Sequence, residues 1–223
     1  MKLAVIILSY KRTKNISQVV TSAIESTVKP SEIIVFNNNP KINLEIPKKE
    51  VVVINSEKNF GCKVRHAIAQ VVDATHFLFF DDDKALMPDT IGNFVKWGKK
   101  YPEGILGYWG RILAKGTKPY TEGIKIHNRE ITIPTEVDVV IGAVHFCSKI
   151  KLPIPFMLDV KTNEDDIALC LANKHFYNKN YVIPADEKTG VYHLNERGVG
   201  QWHRKEHWDL RNEACLEGLK WKL

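Results

Sequence analysis

Three consecutive carboxylates, Asp81, Asp82 and Asp83, follow directly on the apolar run Phe77, Leu78, Phe79 and Phe80. Acids this close repel one another, so water, a cation or basic side chains must share their site. A hard divalent ion such as Mg2+ or Mn2+ favours oxygen ligands of this kind. A solvated acidic loop is the alternative, but a position just after a buried run shifts the weight toward a metal site. A second acidic group, Glu164, Asp165 and Asp166, precedes Ile167, Leu169, Cys170 and Leu171, which places it on the first turn of a helix, where acids are favoured. Bases stand at Lys11, Arg12 and Arg65. Each offers charge-assisted contacts to an anionic ligand, and each is as readily a solvated surface base.

The elements that would position these residues alternate in type. Leu3 to Leu8 is a short apolar strand ending at Ser9, Tyr10, Lys11 and Arg12, and Asn15 to Ser26 carries Ile16, Val19, Val20, Ala23 and Ile24 at helical spacing. Glu32 to Phe36 forms a second strand, stopped by Asn37, Asn38 and Asn39. Val51 to Ile54 forms a third, followed by the turn Asn59, Phe60, Gly61 and Cys62 and a helix over Lys63 to Val72. The run that starts at His76 is the fourth. Strand, helix, strand order implies parallel pairing, so four polar strand ends meet at one sheet edge, where open α/β sheets bind ligands. Further on, Met87, Pro88, Asp89 and Thr90 read as the start of a helix running to Lys99. From Ile105 the pattern shortens to strands around Gly107, Gly110, Gly116 and Gly123, with another at Val137 to Ile141, which predicts hairpins. Thr162 or Asn163 is the predicted cap of the helix that carries Asp165 and Asp166. The tail beyond Ile183 is rich in aromatic and basic residues, and Gly198 and Gly200 predict mobility there.

With 223 residues, 44% hydrophobic and 26% charged, the chain has the material for one large α/β domain. The formal charge of +6, from 32 Lys and Arg against 26 Asp and Glu, suits a nucleotide, a nucleic acid or a membrane surface and chooses none of them. Cys62, Cys147, Cys170 and Cys215 form no C-x-x-C pair, so neither zinc nor a disulfide framework is indicated. Reduced thiols in a cytoplasmic protein are expected. The apolar start is far too short for a transmembrane segment, and any membrane contact would be peripheral.

Taken together, these residues resemble a GT-A fold glycosyltransferase of the family-2 type, with some similarity to exostosin-type enzymes, from about Leu3 to about Asn173. The resemblance implies an α/β fold: a Rossmann-like, mostly parallel central sheet flanked by helices, with a smaller mixed acceptor-side region. It implies one domain over 1–223, with a nucleotide-binding half to about residue 100 and an acceptor-side half and mobile tail beyond. In that family the first strand ends as Ser9, Tyr10, Lys11 and Arg12 do here, and Asn37, Asn38 and Asn39 hold the place of the residues that bind uracil. Asn59 and Gly61 match an Asn-x-Gly turn that precedes an Arg facing the nucleotide, here Arg65. Asp81, Asp82 and Asp83 match the D-x-D motif, in which the last acid binds metal and the first faces the ribose or a metal-bound water; Asp82 is grouped with the nucleotide set. Asp165 and Asp166 resemble the acidic pair that opens the acceptor-side helix and carries the base in inverting members. Asp166 is the expected base, with Asp165 and Glu164 as alternatives and helix capping as their structural role. Asn stands where Asp is commoner after the second strand, and Gln201, Trp202, His203 and Arg204 only distantly echo the Q-x-x-R-W of processive relatives. A processive synthase is not expected.

The implied activity is metal-dependent transfer of a sugar from a nucleotide-sugar donor, UDP-linked by preference, to a hydroxyl of a glycan or glycoconjugate acceptor with inversion. Mn2+ or Mg2+ is the implied cofactor, and no nucleic acid partner is expected. His193 is a candidate third metal ligand, against a structural histidine as the other reading. Tyr108, Trp109 and Trp202 are candidates to stack on sugar faces, or are core and rim. Two other classes compete. A non-catalytic nucleotide- or glycan-binding module would not need the base. A sugar-nucleotide pyrophosphorylase should carry a Gly-rich phosphate loop and a Lys after the first strand, where Ser9, Tyr10, Lys11 and Arg12 stand.

Overall fold

A computed structural model describes residues 1–152, 164–176, 178–194, 204 and 206–220. Its centre is β1 (Leu3–Ser9), buried along its whole length. Side chains alternate across a strand, so Ala4 and Ile6 enter one core layer and Leu3, Val5 and Ile7 the other. A strand apolar on both faces must be covered on both, and β2 (Glu32–Asn37) and β4 (His76–Asp81) flank it in parallel. Beyond β2 lies β3 (Val51–Asn55), also parallel. The registers Leu8 with Asp81, Ser9 with Asn37, and Asn37 with Asn55 set the four polar ends level at one edge.

The sheet continues past β4 with β11 (Val144–Ser148), β6 (Ile105–Gly107), β12 (Asn180–Val182) and β9 (Thr135–Val137). Here the pairing is mixed: β11 is antiparallel to β4 and β6, β12 parallel to β6, and β9 antiparallel to β12. A small antiparallel sheet joins β7 (Trp109–Ile112) to β8 (Ile124–His127) and β10 (Val139–Val140). Two further strands, β5 (Lys84–Leu86) and β13 (Val191–His193), pair antiparallel just after the acidic triad.

The helices α1 (Ile16–Glu25) and α3 (Thr90–Lys100) cover one face through Val19, Val20, Ile91 and Phe94. On α3, Gly98 is required by packing, since a Cβ there would stand 2.5 Å from the Phe146 ring. The other face is covered by α4 (Asp165–His175), buried from Asp165 to Asn173, with α2 (Val64–Val71) beside it. On α4 in turn packs α5 (His207–Gly218).

The sequence reading and the structure differ in several places. The predicted strand at Val137 to Ile141 is split between β9, which pairs with β12, and β10, which pairs with β7; the chain changes sheets at Asp138, whose amide already donates to Arg111 O and whose carboxylate accepts from the Leu113 amide at 2.7 Å. Of the predicted hairpins, β7 and β8 pair antiparallel, while β6 joins the main sheet. The predicted helix start is found, with Asp89 just before α3, though its carboxylate accepts from Thr27 Oγ1 at 2.7 Å rather than from a helix amide. The tail contains α5. The predicted caps Thr162 and Asn163, the glycines 198 and 200, and residues 201–203 lie outside the described residues. Among the described residues no helix is long and apolar enough to cross a membrane, and the four cysteines form no disulfide.

Candidate active site

A cavity of about 310 Å3 opens at the carboxyl ends of β1 and β4. Its walls come from Tyr10, Lys11 and Arg12 after β1, Asp81 to Lys84 after β4, Cys62 and Arg65 at α2, Arg111 and Tyr120, Gly142, Asp165 and Asp166 on α4, and His207, Trp208 and Arg211 on α5.

The acids after β4 interlock with the bases after β1. Asp82, 2% exposed, accepts from the Tyr10 amide at 3.0 Å and from Arg12 Nε at 2.8 Å. Asp83 accepts from Arg12 Nη1 and from Lys84 Nζ. Asp81 has a looser partner, Arg65 Nη1 at 3.4 Å. Desolvation lifts its carboxyl to about 7, with Arg65 pulling it down and Asp83 pushing it up.

Arg65 connects this group to α4. Its Nη1 donates to the Gly142 carbonyl at 2.9 Å, and Nε and Nη2 both lie 2.9 Å from Asp165 Oδ2. His66 Nε2 meets the same oxygen at 2.9 Å. Burial alone would raise the Asp165 carboxyl, but Arg65 and His66 outweigh it and hold it well below the ordinary carboxylate range. Burial also pushes the His66 imidazole below its ordinary value, against the pull of Asp165. Asp165 Oδ1 and His66 Nδ1 are buried without a hydrogen-bond partner among the described residues.

One residue on, about 100° round the helix, Asp166 faces other groups. Its Oδ2 accepts from the Gly142 amide at 2.9 Å and from Arg211 Nη2 at 2.8 Å, and its Oδ1 from its neighbour Ile167 N at 2.9 Å. Gly142 is held between the two networks. A Cβ there would stand 2.7 Å from Arg65 Nη2 and 3.1 Å from the Asp166 Cβ.

The far wall is built on Tyr120, whose ring carries the Arg211 guanidinium at 4.3 Å and that of Arg111 at 4.7 Å. Asn212 Oδ1 fixes this loop by accepting from the amides of Tyr120 and Thr121 at 3.0 and 3.1 Å.

Of the residues singled out from the sequence, Tyr10, Arg12, Arg65, Asp81, Asp82, Asp83, Asp165 and Asp166 meet at this cavity. Ser9, Asn37, Asn38, Asn59 and His193 do not line it. Asn37 is fully buried, donating to Ile42 O and to Asn55 Oδ1 and accepting from Asn39 N. Asn38 clamps the next turn, donating to Gly61 O and accepting from Phe60 N. Asn59 Oδ1 accepts from Gly61 N and supports the turn in which Gly61 takes φ +74°, a value that favours glycine. These amides hold the shape of the surrounding loops.

The metal set Asp83, Asp81 and His193 does not assemble: among the described residues no three His, Cys, Asp or Glu side chains gather to hold an ion. His193 lies opposite Lys84 in the β5–β13 pair and sets its ring against Trp109, 5.3 Å away. What remains is Asp81 and Asp83, hard oxygen donors on one cavity. Mg2+ and Mn2+ are commonly held by one or two carboxylates, with water and substrate phosphates completing the shell, so this donor set fits such an ion. Tyr108 is core rather than a sugar platform, fully buried with its hydroxyl donated to Thr189 O. Trp109 is half-buried between His127 and His193, and Trp202 lies outside the described residues. The cavity residues absent from the sequence reading are chiefly Arg111, Tyr120 and Arg211. No spacing rule marks them, because each is brought in by a long-range contact.

The model for the family described as glycosyl transferase family 2 matches residues 4–151. That stretch holds the triad and Arg65, and ends before Asp165. Among solved structures, S. aureus TarS 1–349 superposes with a TM-score of 0.59 at 16% identity, over 87% of this chain and 60% of that one. The chain thus spans 60% of the length of TarS 1–349, and at this identity the likeness is one of fold. No curated protein matches the chain.

Proposed function

Given that the chain belongs to glycosyl transferase family 2 and is therefore a glycosyltransferase, we propose that it moves a sugar from a UDP-linked donor to a hydroxyl of a glycan or glycoconjugate acceptor, with inversion at the anomeric carbon. One observation carries this reading: the triad after β4 and the acidic pair opening α4, from opposite halves of the chain, line one cavity and are joined through Arg65.

On the donor side, Lys11, Arg12 and Lys84 offer charge-assisted hydrogen bonds to a diphosphate. Asp83, with Asp81, would hold Mn2+ or Mg2+, which as a Lewis acid neutralises the charge that develops on the leaving diphosphate. On the acceptor side a carboxylate of α4 takes the hydroxyl proton as the oxygen bonds to the anomeric carbon; the bond to the diphosphate breaks and its electron pair leaves with the nucleotide. We assign this to Asp166, because Asp165, held at low basicity by Arg65 and His66, is the poorer proton acceptor. A specific observation favours Asp165 as a second reading: its Oδ1 has no hydrogen-bond partner among the described residues, whereas both oxygens of Asp166 have one. Asn37 and Asn38 then act by shaping the loops around the nucleotide.

The test is to incubate the protein with Mn2+ and a panel of UDP-, GDP- and TDP-sugars, follow nucleotide release, and read the product's anomeric configuration by NMR. Release from UDP-sugars with an inverted product is expected. A retained configuration removes the base mechanism; no release from any donor, with no heat of UDP binding, removes the function.

A further inference from the structure

Five of the cavity's cationic side chains are Arg12, Arg65, Lys84, Arg111 and Arg211. Arg12 and Lys84 are paired with the triad, Arg65 with Asp165, and Arg211 with Asp166. Arg111 differs. It is 5% exposed, and among the described residues it has no carboxylate within ion-pair distance; its contacts are the Gly123 carbonyl, 3.2 Å from Nη1, and the face of Tyr120. Its Nε is buried without a hydrogen-bond partner, and so is the Nε of Arg211 on the same ring. A buried guanidinium with an unmet donor is costly, and a planar fork that stacks on an aromatic ring is suited to gripping carboxylate or phosphate.

We propose that Arg111 and Arg211 form an oxyanion subsite on the acceptor side, so that the acceptor is a sugar carrying a carboxylate or a phosphate near the hydroxyl that reacts. This rests on the acceptor-side role given above to α4. Arg211 holds the candidate base Asp166 at 2.8 Å, so an anion gripped by the arginine pair is tethered beside the group that takes the proton. Neutral glycans lack that tether. Arg111 and Arg211 belong to β7 and α5, whereas the cations assigned to the donor diphosphate follow β1 and β4.

Two measurements test this. In the first, calorimetry on the wild-type protein with glucuronate, glucose 6-phosphate and glucose as probes needs no turnover. Heat is expected from one or both anions and none from glucose, and the tighter anion identifies the group recognised. Arg111→Gln should abolish that heat, and Arg111→Lys, which keeps the charge without the fork, should weaken it about tenfold. In the second, wild-type kcat/KM should favour anion-bearing over neutral acceptors of the same ring by about 10–100-fold, and Arg111→Gln should erase the ratio. Equal use of neutral and anionic acceptors, with no heat from either anion, overturns the subsite while leaving sugar transfer standing. A loss of UDP affinity in Arg111→Gln with the acceptor ratio intact assigns the pair to the donor and also overturns it. If no donor is turned over, the calorimetry still decides the subsite independently of the function.

Discussion

Asp166→Asn separates chemistry from architecture, because the structure attaches a magnitude to each. The carboxylate is 4% exposed and receives Arg211 Nη2, the Gly142 amide and the Ile167 amide. An Asn oxygen placed at Oδ2 keeps the first two donors but aims an NH2 group at the Ile167 N–H, and it leaves Arg211 buried without an anion. Breaking a buried pair in this way costs about 3–5 kcal/mol. At about 2–4 °C per kcal/mol for a chain of this size, the melting temperature should drop by about 6–20 °C. Transfer, assayed well below that midpoint with donor binding checked by calorimetry, should fall by about two to four orders of magnitude. Full transfer would show that Asp166 is not the base, and an unchanged melting temperature would show that its pairing with Arg211 carries no stability. Asp165→Asn is the matched control, with a similar stability cost, since Arg65 and His66 lose the charge they share. A transfer loss that follows Asp165 rather than Asp166 hands the role to the carboxylate with the unpartnered oxygen.

Chelation by EDTA should abolish transfer and Mn2+ or Mg2+ should restore it, whereas Asp83→Asn should stay inactive in excess Mn2+; activity in EDTA would rule out the metal. Asn37→Ala should lower the unfolding free energy measured in urea by about 1–3 kcal/mol, the cost of unmet buried partners; a loss of UDP affinity without that destabilisation would place Asn37 in direct contact with the nucleotide. His66 and His145 are fully buried, and burial pushes both below 6.5. At these histidines the unfolded chain takes up protons that the folded one refuses, which lowers stability below about pH 6.5 by up to about 1.4 kcal/mol per unit for each, while Asp81, lifted to about 7, binds its proton in the folded chain first and offsets one of the two, so a net fall of up to about 1.4 kcal/mol per unit is expected. Urea titrations from pH 8 to pH 5 with a constant midpoint would contradict this. Gly142→Ala places a methyl 2.7 Å from Arg65 Nη2 and should reduce transfer at least about tenfold with the chain still folded by circular dichroism.

The parallel half of the fold was legible because β1, β2 and β4 are nearly unbroken apolar runs that stop at polar clusters, and only a covered strand tolerates such a run. The loop contacts of the asparagines were not legible, because an amide suited to a nucleobase is equally suited to a neighbouring loop, and only the fold shows which loop partners Asn37 has. The triad and the acidic pair of α4 were legible as strand-end and helix-start acids, while their pairing with Arg12, Arg65 and Arg211 was not. The helix α5 escaped for a physical reason: the side it buries is Arg211, Asn212, Cys215 and Gly218, helically spaced but mostly polar. A search for apolar periodicity passes over such a face; it is buried because Asp166 and the Tyr120 loop supply its partners.

The separations of the residues that close the cavity bear on how the protein matures. Arg12 reaches Asp82 across 70 positions, Arg65 reaches Asp165 across 100, and Asp166 waits a further 45 for Arg211. During synthesis β1 to β4 can pair as soon as they leave the ribosome, but Asp165 and Asp166 emerge long after Arg65, and Arg211 later still. Contacts of such long range form late. A nascent chain would thus carry the strand ends of β1 to β4 for some seconds, at about 5–20 residues per second, before the carboxylates of α4 are seated beside them. The seat of Asp166 is therefore completed only when α5 docks.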